Sequence, residues 1–433
     1  KIIEKVIHDQ TEKYLSSKNI LFQYQSGFRK HHSTDFCLSY LRETISKGLD
    51  IGQHTGMILI DLQKAFDTID HNLLLQKMPY FGFSTNVIEW FKSYLTNRTF
   101  IVNIDKSFSK PEKLSCGVPQ GSILGPLMFL LYINDIPQAV KSNILLYADD
   151  TCIFFQHADV NVIEKQLNED FSNLCDWFVD NKLSIHFGED KTKSILFTSK
   201  RKVQLVKKLN ITYNNIPIKQ HASVSYLGCI LDNTLSGESM ALSVINKVNS
   251  KLRFLYRNKS FLNPQLRRLM CNALIQPHFD YASSTWYLNL TEKFKKKIQV
   301  SQNKCIRFCL NLDNRAHIGY AELKEINWLN IHDRQRLNLC TSVFKFFNNK
   351  TPLFMSNVFH PARENEISTR SSYLKLQQPF RKTKLGQNTL SYLGSGEWNK
   401  LPTFMKKLTN VNTFKHKLKD HYLEEIKRKE QLQ

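Results

Sequence analysis

No apolar run in this sequence is long enough to cross a membrane. The longest notable one, Ile123–Ile133 (ILGPLMFLLYI), is interrupted by Gly125 and Pro126 and falls short of the roughly 20 residues a spanning helix needs. It is expected as a buried helix, and no membrane partner is expected. No N-terminal signal segment is visible, and a first residue of Lys1 leaves an upstream domain open. The nine cysteines run from Cys37 to Cys340 in no framework spacing, and their number is odd. That pattern speaks against a disulfide scaffold and for a reducing compartment. Cys305 and Cys309 form a lone C-x3-C pair with no further ligands at zinc spacing, so apolar packing is expected there. A G-x-x-x-x-G-K-S/T phosphate loop, a G-x-S-x-G elbow and an H-E-x-x-H string are all missing, which removes three common enzyme classes. Internal repeats and low-complexity segments are missing too.

What is present is a globular composition and a strong positive charge. Of 433 residues, 42% are hydrophobic and 12% aromatic, enough for a sizeable core divided into two to four domains or subdomains. Lys and Arg number 60 against 38 Asp and Glu, a net charge of +22, which favours a polyanionic partner. The excess is concentrated: residues 189–310 hold 21 Lys and Arg against 6 Asp and Glu. The tract KFKKK (Lys293–Lys297) belongs to this stretch.

Hydrophobic periodicity gives the layout. Lys1–Ser17 reads as a helix with Ile2, Ile3, Val6 and Ile7 facing inward. Ser33 or Thr34 can cap a second helix that buries Cys37, Leu41 and Ile45. MILID is a continuous apolar run ending in Asp61, the pattern of a buried strand. Phe66–Lys77 reads as a helix closed by Pro79, Val87–Leu95 as an amphipathic helix, and Pro111–Gly125 as a Gly- and Pro-rich loop. Ile144–Tyr147 and Thr151–Phe155 read as two strands of a hairpin with Asp149 and Asp150 at its turn. Val160–Asp180 has apolar residues at Ile163, Leu167, Phe171, Leu174 and Phe178, a helical spacing. Ser194–Thr198 is a further strand. Beyond Asp232 the chain turns helical, with Met240, Val244, Val248, Leu252 and Leu255 on one face. Thr413–Gln431 reads as a last basic helix.

The acids carry the chemistry. Charged side chains avoid apolar sheets unless they are paired, metal-bound or at an edge. Carboxylates brought together by adjacent strands repel unless cations are present, and two Mg²⁺ ions about 4 Å apart suit such a set. Alone, the DD pair would read as a polar hairpin turn. Its apolar flanks, DLQKAFD and a glycine loop favour a metal site. In CGVPQGSILGP (Cys116–Pro126), Gly117 and Gly121 allow close backbone approach, and the flat surface suits a stacked base pair. Phe66 follows Asp61 by five residues, and a bulky ring there can exclude a ribose 2′-hydroxyl. Core packing is its plain alternative. Arg29, Lys30 and Lys64 are available to a triphosphate. His31 and His32, lacking a partner at metal spacing, read as a solvated loop.

Together these strings resemble the reverse transcriptases of non-LTR retrotransposons, the LINE type and its jockey-like group. They are QSGFRKHHST (Gln25–Thr34), DLQKAFDTIDH (Asp61–His71), GVPQGSILGPLMFLLYINDI (Gly117–Ile136) and YADDT (Tyr147–Thr151). NKLSIHFGEDKTKSILF (Asn181–Phe197) and SYLGCILD (Ser225–Asp232) follow in the family's order. The likeness is specific over roughly residues 20–235 and weaker to about 350; Gln63, where serine is frequent, removes no chemical group. It implies an α+β right-hand polymerase with a mostly helical C-terminal region. Residues 1–60 would be the N-terminal and fingers region, and 61–235 the palm, with a fingers insertion around 81–110. The basic helical thumb and following helices would occupy 236–349, leaving 350–433 without an assigned role.

By the same resemblance Asp61, Asp149 and Asp150 would be the catalytic, metal-binding residues, using two Mg²⁺ ions or Mn²⁺ in their place. Phe66 would exclude the ribose 2′-hydroxyl, with Gln120 and Gly121 near the incoming nucleotide and template. Arg29 and Lys30 would stand beside the triphosphate. Lys191 or Lys193 would protonate pyrophosphate, and Tyr226, Leu227 and Gly228 would grip the primer. The implied partners are an RNA template, a DNA primer, target DNA and deoxynucleoside triphosphates, in the nucleus and cytoplasm rather than outside the cell. No apurinic-type endonuclease, ribonuclease H domain or CCHC knuckle is recognisable, so target nicking is not expected of these residues. Two rival readings stand beside this one: an RNA-directed RNA polymerase, which shares the acids, and a catalytically inactive RNA-binding relic of a mobile element.

Overall fold

A computed structural model describes residues 1–188, 190–362 and 374–432. Glu189, which belongs to the Asn181–Phe197 string, and residues 363–373 and Gln433 of the C-terminal region lie outside the described residues. The chain forms two compact units. One comprises Lys1–Ser33, Thr55–Leu196 and Lys207–His221, the other Thr34–His54, Phe197–Val206 and Ala222–Gln433.

The first unit is built on a four-stranded sheet of β1 (His54–Ile60), β2 (Asn143–Tyr147), β3 (Asp150–His157) and β4 (Lys193–Phe197), in the order β2-β3-β1-β4. Every residue of β1 is buried, as its unbroken apolar run predicts for a strand covered on both faces. β2 and β3 form the expected antiparallel hairpin, in register from Asn143 opposite Phe154 to Tyr147 opposite Asp150. Gln156, far along β3, donates to Thr55 Oγ1 at the start of β1 (2.8 Å). The helix Val160–Asp180 has the predicted bounds, buries the five predicted side chains and packs against β3. Asp159 caps it by accepting from the Asn161 N–H (2.8 Å). Asp170 is fully buried in that helix and accepts from the Lys141 and Ser142 N–H groups (2.9 Å each), anchoring the approach to β2. The helix Gly125–Tyr132 is buried along its length.

Three expectations are corrected here. The first helix, Ile2–Ser17, turns Ile2, Ile3 and Val6 to solvent, at 85%, 69% and 51% exposure. Its inward stripe is Glu4, Thr11 and Leu15, and polar contacts set the orientation. Glu4 accepts from the Ile123 N–H (2.9 Å), and the Tyr14 hydroxyl donates to the Phe81 and Gly82 carbonyls (3.0 Å each). Second, the helix expected from Phe66 begins only at His71, where Asp70 caps it through the Leu73 N–H (2.9 Å). Residues 66–70 instead form a loop tied to the glycine loop: Phe66 and Ile69 carbonyls accept from Val118 and Gly117 N–H (2.9 and 2.8 Å). Pro79 sits inside a 3₁₀ turn, Met78–Phe81. Third, the stretch read as loop from Pro111 holds the strand Glu112–Lys113, paired with Thr99–Phe100, and Asn103–Ile104 pairs with Ser107–Phe108 nearby. All of these residues are exposed.

The second unit is mainly helical. Its helix Glu238–Arg257 buries Met240, Val244, Val248, Leu252 and Leu255, the face its periodicity predicts. Asp232 nucleates the turn leading into it by accepting from the Ser236 and Gly237 N–H groups (2.9 Å each). The last segment, for which composition suggested no role, packs on the helix Thr34–Asp50. Buried Arg42 donates to the Ser284 and Asn388 carbonyls (3.0 and 2.7 Å). Buried Glu43 pairs with Arg381 (2.8 Å) and accepts from Ser391. Asp50 accepts from the Thr383 N–H (2.7 Å) and hydroxyl (2.6 Å). The helix Val411–Gln431 is held by Arg336, which reaches Asp333, Glu397 and Glu425 at 2.7–2.9 Å.

Removing one partner of a buried charge pair strands the other. Glu43→Ala should destabilise the second unit by about 3–5 kcal/mol, measured as a lower urea midpoint at unchanged m-value.

Candidate active site

The sheet brings Asp61, Asp149 and Asp150 together. Asp61 follows β1 directly, and its main chain is locked on both sides. Its carbonyl accepts from the His186 N–H (2.8 Å), and its N–H points at Thr192 Oγ1 (3.4 Å). Asp149 and Ala148 are the two residues of the β2–β3 turn, and Asp150 is the first residue of β3. The Gln156–Thr55 contact lies at the opposite end of β1 and β3, so the two strands run in opposite directions and the acids share one sheet end. Burial and the negative charge of Asp61 raise the pKa of Asp149. Burial, then Asp149 and Asp61, push the Asp150 carboxyl up to about 6. The three groups sense one another electrostatically.

Phe66 lies in a tray of rings. It stacks on Phe129 (centroids 4.5 Å, planes 26° apart) and meets Phe28 edge-on (5.9 Å, 90°), leaving it half-buried and fixed. Beside it runs the glycine loop. Gly117 has φ +81, and a Cβ there would stand 2.7 Å from the Asp67 carbonyl oxygen, so no other residue fits without moving the loop. Gln120 Nε2 donates to Asp67 (3.0 Å), and exposed Gly121 accepts from the Lys1 ammonium through its carbonyl. His71 Nε2 lies 2.7 Å from the Gly117 carbonyl oxygen.

The expected phosphate ligands divide. Lys30 is exposed. Arg29 is half-buried, and its Nη1 donates to the Phe22 and Gln25 carbonyls (2.7 and 3.1 Å), so part of its guanidinium serves the fold. Both line a cavity of about 320 Å³ with His31, His32 and Glu12. His32 is half-buried rather than solvated, and burial depresses its pKa to about 4. Of the two lysines, Lys191 Nζ lies 3.5 Å from Asp61 Oδ2, whereas Lys193 starts β4. In the second unit, Leu227 and Gly228 form a turn with φ +46 and +73 between Ser223–Tyr226 and Cys229–Asp232. Tyr226 is buried, its hydroxyl 3.7 Å from Cys37 Sγ, and the Tyr281 hydroxyl donates to the Leu227 carbonyl.

Sequence reasoning passed over Thr192 and Gln25. Thr192 Oγ1 donates to the His186 carbonyl (2.9 Å) beside Asp61. Gln25 is buried against the β2–β3 turn, accepting from the Ala148 N–H at 3.0 Å. Both lie inside strings quoted above, but a single polar residue carries no periodicity that would mark it.

Hard carboxylate oxygens suit a divalent cation such as Mg²⁺. Among the described residues, no three His, Cys, Asp or Glu side chains already stand at metal-binding spacing. Among the described residues, no helix is long and apolar enough to cross a membrane.

Residues 1–231 match the family profile described as "Reverse transcriptase (RNA-dependent DNA polymerase)". The "Probable RNA-directed DNA polymerase from transposon X-element" of Drosophila melanogaster is 26% identical over 321 residues, covering 71% of this chain and 34% of that protein. The "RNA-directed DNA polymerase from mobile element jockey" of Drosophila funebris is 26% identical over 325 residues, with the same coverage of 71% and 34%. This chain thus spans about a third of the length of the curated relatives it matches. Among solved structures, apo telomerase from Candida tropicalis aligns over 72% of this chain and 55% of that chain at 12% identity. Its TM-score of 0.38 is too low to bear on the site.

Raising the Asp150 pKa means that the folded chain holds a proton the unfolded chain would release. This group's contribution to stability is complete below the ordinary aspartate value and is lost as pH rises through about 6. Asp150→Asn cannot ionise, so it should melt a few degrees higher than the parent at pH 7.5 in EDTA. The gain should shrink towards zero by about pH 4, as thermal melts at both pH values would show.

Proposed function

Because the chain belongs to the reverse transcriptase family, we propose that it extends a DNA primer with deoxynucleotides along an RNA template. It would do so as the polymerase segment of a non-LTR retrotransposon protein, acting in nucleus and cytoplasm, with the primer supplied by target DNA. The observation that carries the reading is the placement of Asp61 after β1 and of Asp149 and Asp150 at the β2–β3 turn, at one end of a single sheet.

The family works with divalent metal ions, and here we assign two Mg²⁺, replaceable by Mn²⁺. When bound they would acidify the primer 3′-hydroxyl and offset charge on the leaving pyrophosphate. Asp61, Asp149 and Asp150 would hold them and would be relieved of mutual repulsion. The ring of Phe66, fixed between Phe28 and Phe129, occupies the space a ribose 2′-hydroxyl would need. Gln120 and Gly121 lie beside the nucleotide and template. Lys30 and the uncommitted edge of Arg29 meet the triphosphate, and Lys191, nearest Asp61, donates the proton to pyrophosphate. Tyr226, Leu227 and Gly228 support the primer through the backbone of their turn. Exposed Arg253, Phe254, Tyr256 and Arg257 on one helix, and Lys293, Lys296 and Lys297 on another, interleave charge and rings as a phosphate backbone and its bases require.

Primer extension on an RNA template separates the readings. The unmodified chain should incorporate dNTPs in preference to rNTPs, and Phe66→Ala should erode that preference by about 10–200-fold. Preference for rNTPs would instead mark an RNA polymerase, and no incorporation at all an inactive RNA-binding relic or an incomplete fragment. Lys191→Ala should lower kcat by roughly 10²–10⁴-fold, with Lys193→Ala much milder, in single-turnover extension.

A further inference from the structure

The turn that carries Asp149 and Asp150 has an unfavourable backbone. Ala148, its first residue, has φ +54, in the left-handed region that L-residues other than asparagine and aspartate seldom occupy. It is also buried, at 5% exposure, so water cannot satisfy its peptide groups. Two residues outside the hairpin meet it. Gln25, 2% exposed, accepts through Oε1 from the Ala148 N–H (3.0 Å) and donates through Nε2 to the Ala148 carbonyl (3.4 Å). The same Oε1 accepts from the Gly27 N–H (2.7 Å), which fixes the carboxamide's own orientation. Gly27 lies so close that a Cβ would stand 2.2 Å from the Ala148 nitrogen.

This contact is itself anchored. The Ser26 N–H donates to the Leu146 carbonyl (2.8 Å), and the Leu146 N–H to the Tyr24 carbonyl (3.1 Å), so residues 24–26 extend the sheet along β2. Arg29 in turn holds the Phe22 and Gln25 carbonyls. A carboxamide offers one acceptor and one donor to the same residue. A carboxylate would set oxygen against the Ala148 carbonyl, and methionine, of similar length, would leave both groups buried without a partner.

We propose that Gln25 is a positioning residue of the polymerase site, its buried carboxamide holding the Ala148–Asp149 turn in the conformation from which both carboxylates project. The assignment rests on the polymerase reading for its catalytic consequence and on the hydrogen bonds alone for its structural one. Gln25 touches neither substrate nor reacting atoms; it acts through the placement of Asp149 and Asp150.

The full chain is compared with Gln25→Met, Gly27→Ala and the double variant Gln25→Met/Ala148→Gly. Hydrogen exchange of the peptide spanning Ala148 should quicken by roughly tenfold or more in Gln25→Met, with β1 and Val160–Asp180 keeping their protection. In primer extension, corrected for folded protein, kcat should fall by roughly 10–100-fold, as expected when reacting groups shift by a fraction of an ångström. The KM for dNTP and the Kd for primer–template should stay within about twofold, because their binding surfaces are untouched. Gly27→Ala should reproduce the kcat loss from the other side of the contact. Ala148→Gly, which tolerates positive φ, should restore part of the rate lost in Gln25→Met. Unchanged exchange at the turn, or a kcat within about twofold of the parent, overturns the proposal, as does a rate loss that only tracks loss of folded protein. If the parent itself extends no primer, the polymerase reading fails, and the exchange data alone decide whether Gln25 holds the turn.

Discussion

Burial of carboxylates gathered at one end of a sheet is the constraint that organises the first unit. Packing would not choose to place Asp61, Asp149 and Asp150 within electrostatic reach of one another. Burial and neighbouring charge push Asp150 up to about 6, so keeping that carboxylate ionised costs the fold stability that a proton restores. Much of the surrounding structure serves to keep that arrangement from relaxing. His186 and Thr192 lock the main chain of Asp61. Asp170 anchors the approach to β2, and Gln25 meets the turn itself. Strain held by surrounding contacts is common where chemistry is done.

The same logic extends to Phe66 and the glycine loop. The proposed exclusion of a ribose hydroxyl by Phe66 needs an immobile ring, and Phe28 and Phe129 pack against it from two sides. The loop that passes it is joined by main-chain hydrogen bonds to residues 66–70, which is why those residues cannot continue the helix that starts at His71. The second unit relies on a different device. There, buried ion pairs and caps, not apolar surface alone, fasten the C-terminal segment to Thr34–Asp50 and to the helix bearing Arg336.

What could be read from the sequence follows from which forces leave a periodic trace. β1, the β2–β3 hairpin and Val160–Asp180 were legible because apolar spacing marks burial, and an acid ending an apolar run stands out. The family strings carried the three acids and Phe66. Contacts between distant polar residues left no such trace. Ile2, Ile3 and Val6 read as a core stripe, yet Glu4 and Tyr14 decide which way their helix faces. Arg42, Glu43 and Asp50 are single charges outside the apolar stripe of their helix, and their partners lie more than 240 residues away in the chain. Gln25 lay within a polar stretch, where nothing local shows that a glutamine faces a strained alanine.

The central claim is that Asp61, Asp149 and Asp150 form one cation-requiring unit. It is tested most directly by counting Mn²⁺ bound to the full chain by electron paramagnetic resonance, with primer–template and an unreactive nucleotide analogue present. The account predicts two bound ions per chain, and their loss in an Asp149→Asn/Asp150→Asn variant that still binds primer–template. Equal Mn²⁺ binding by both proteins would contradict it.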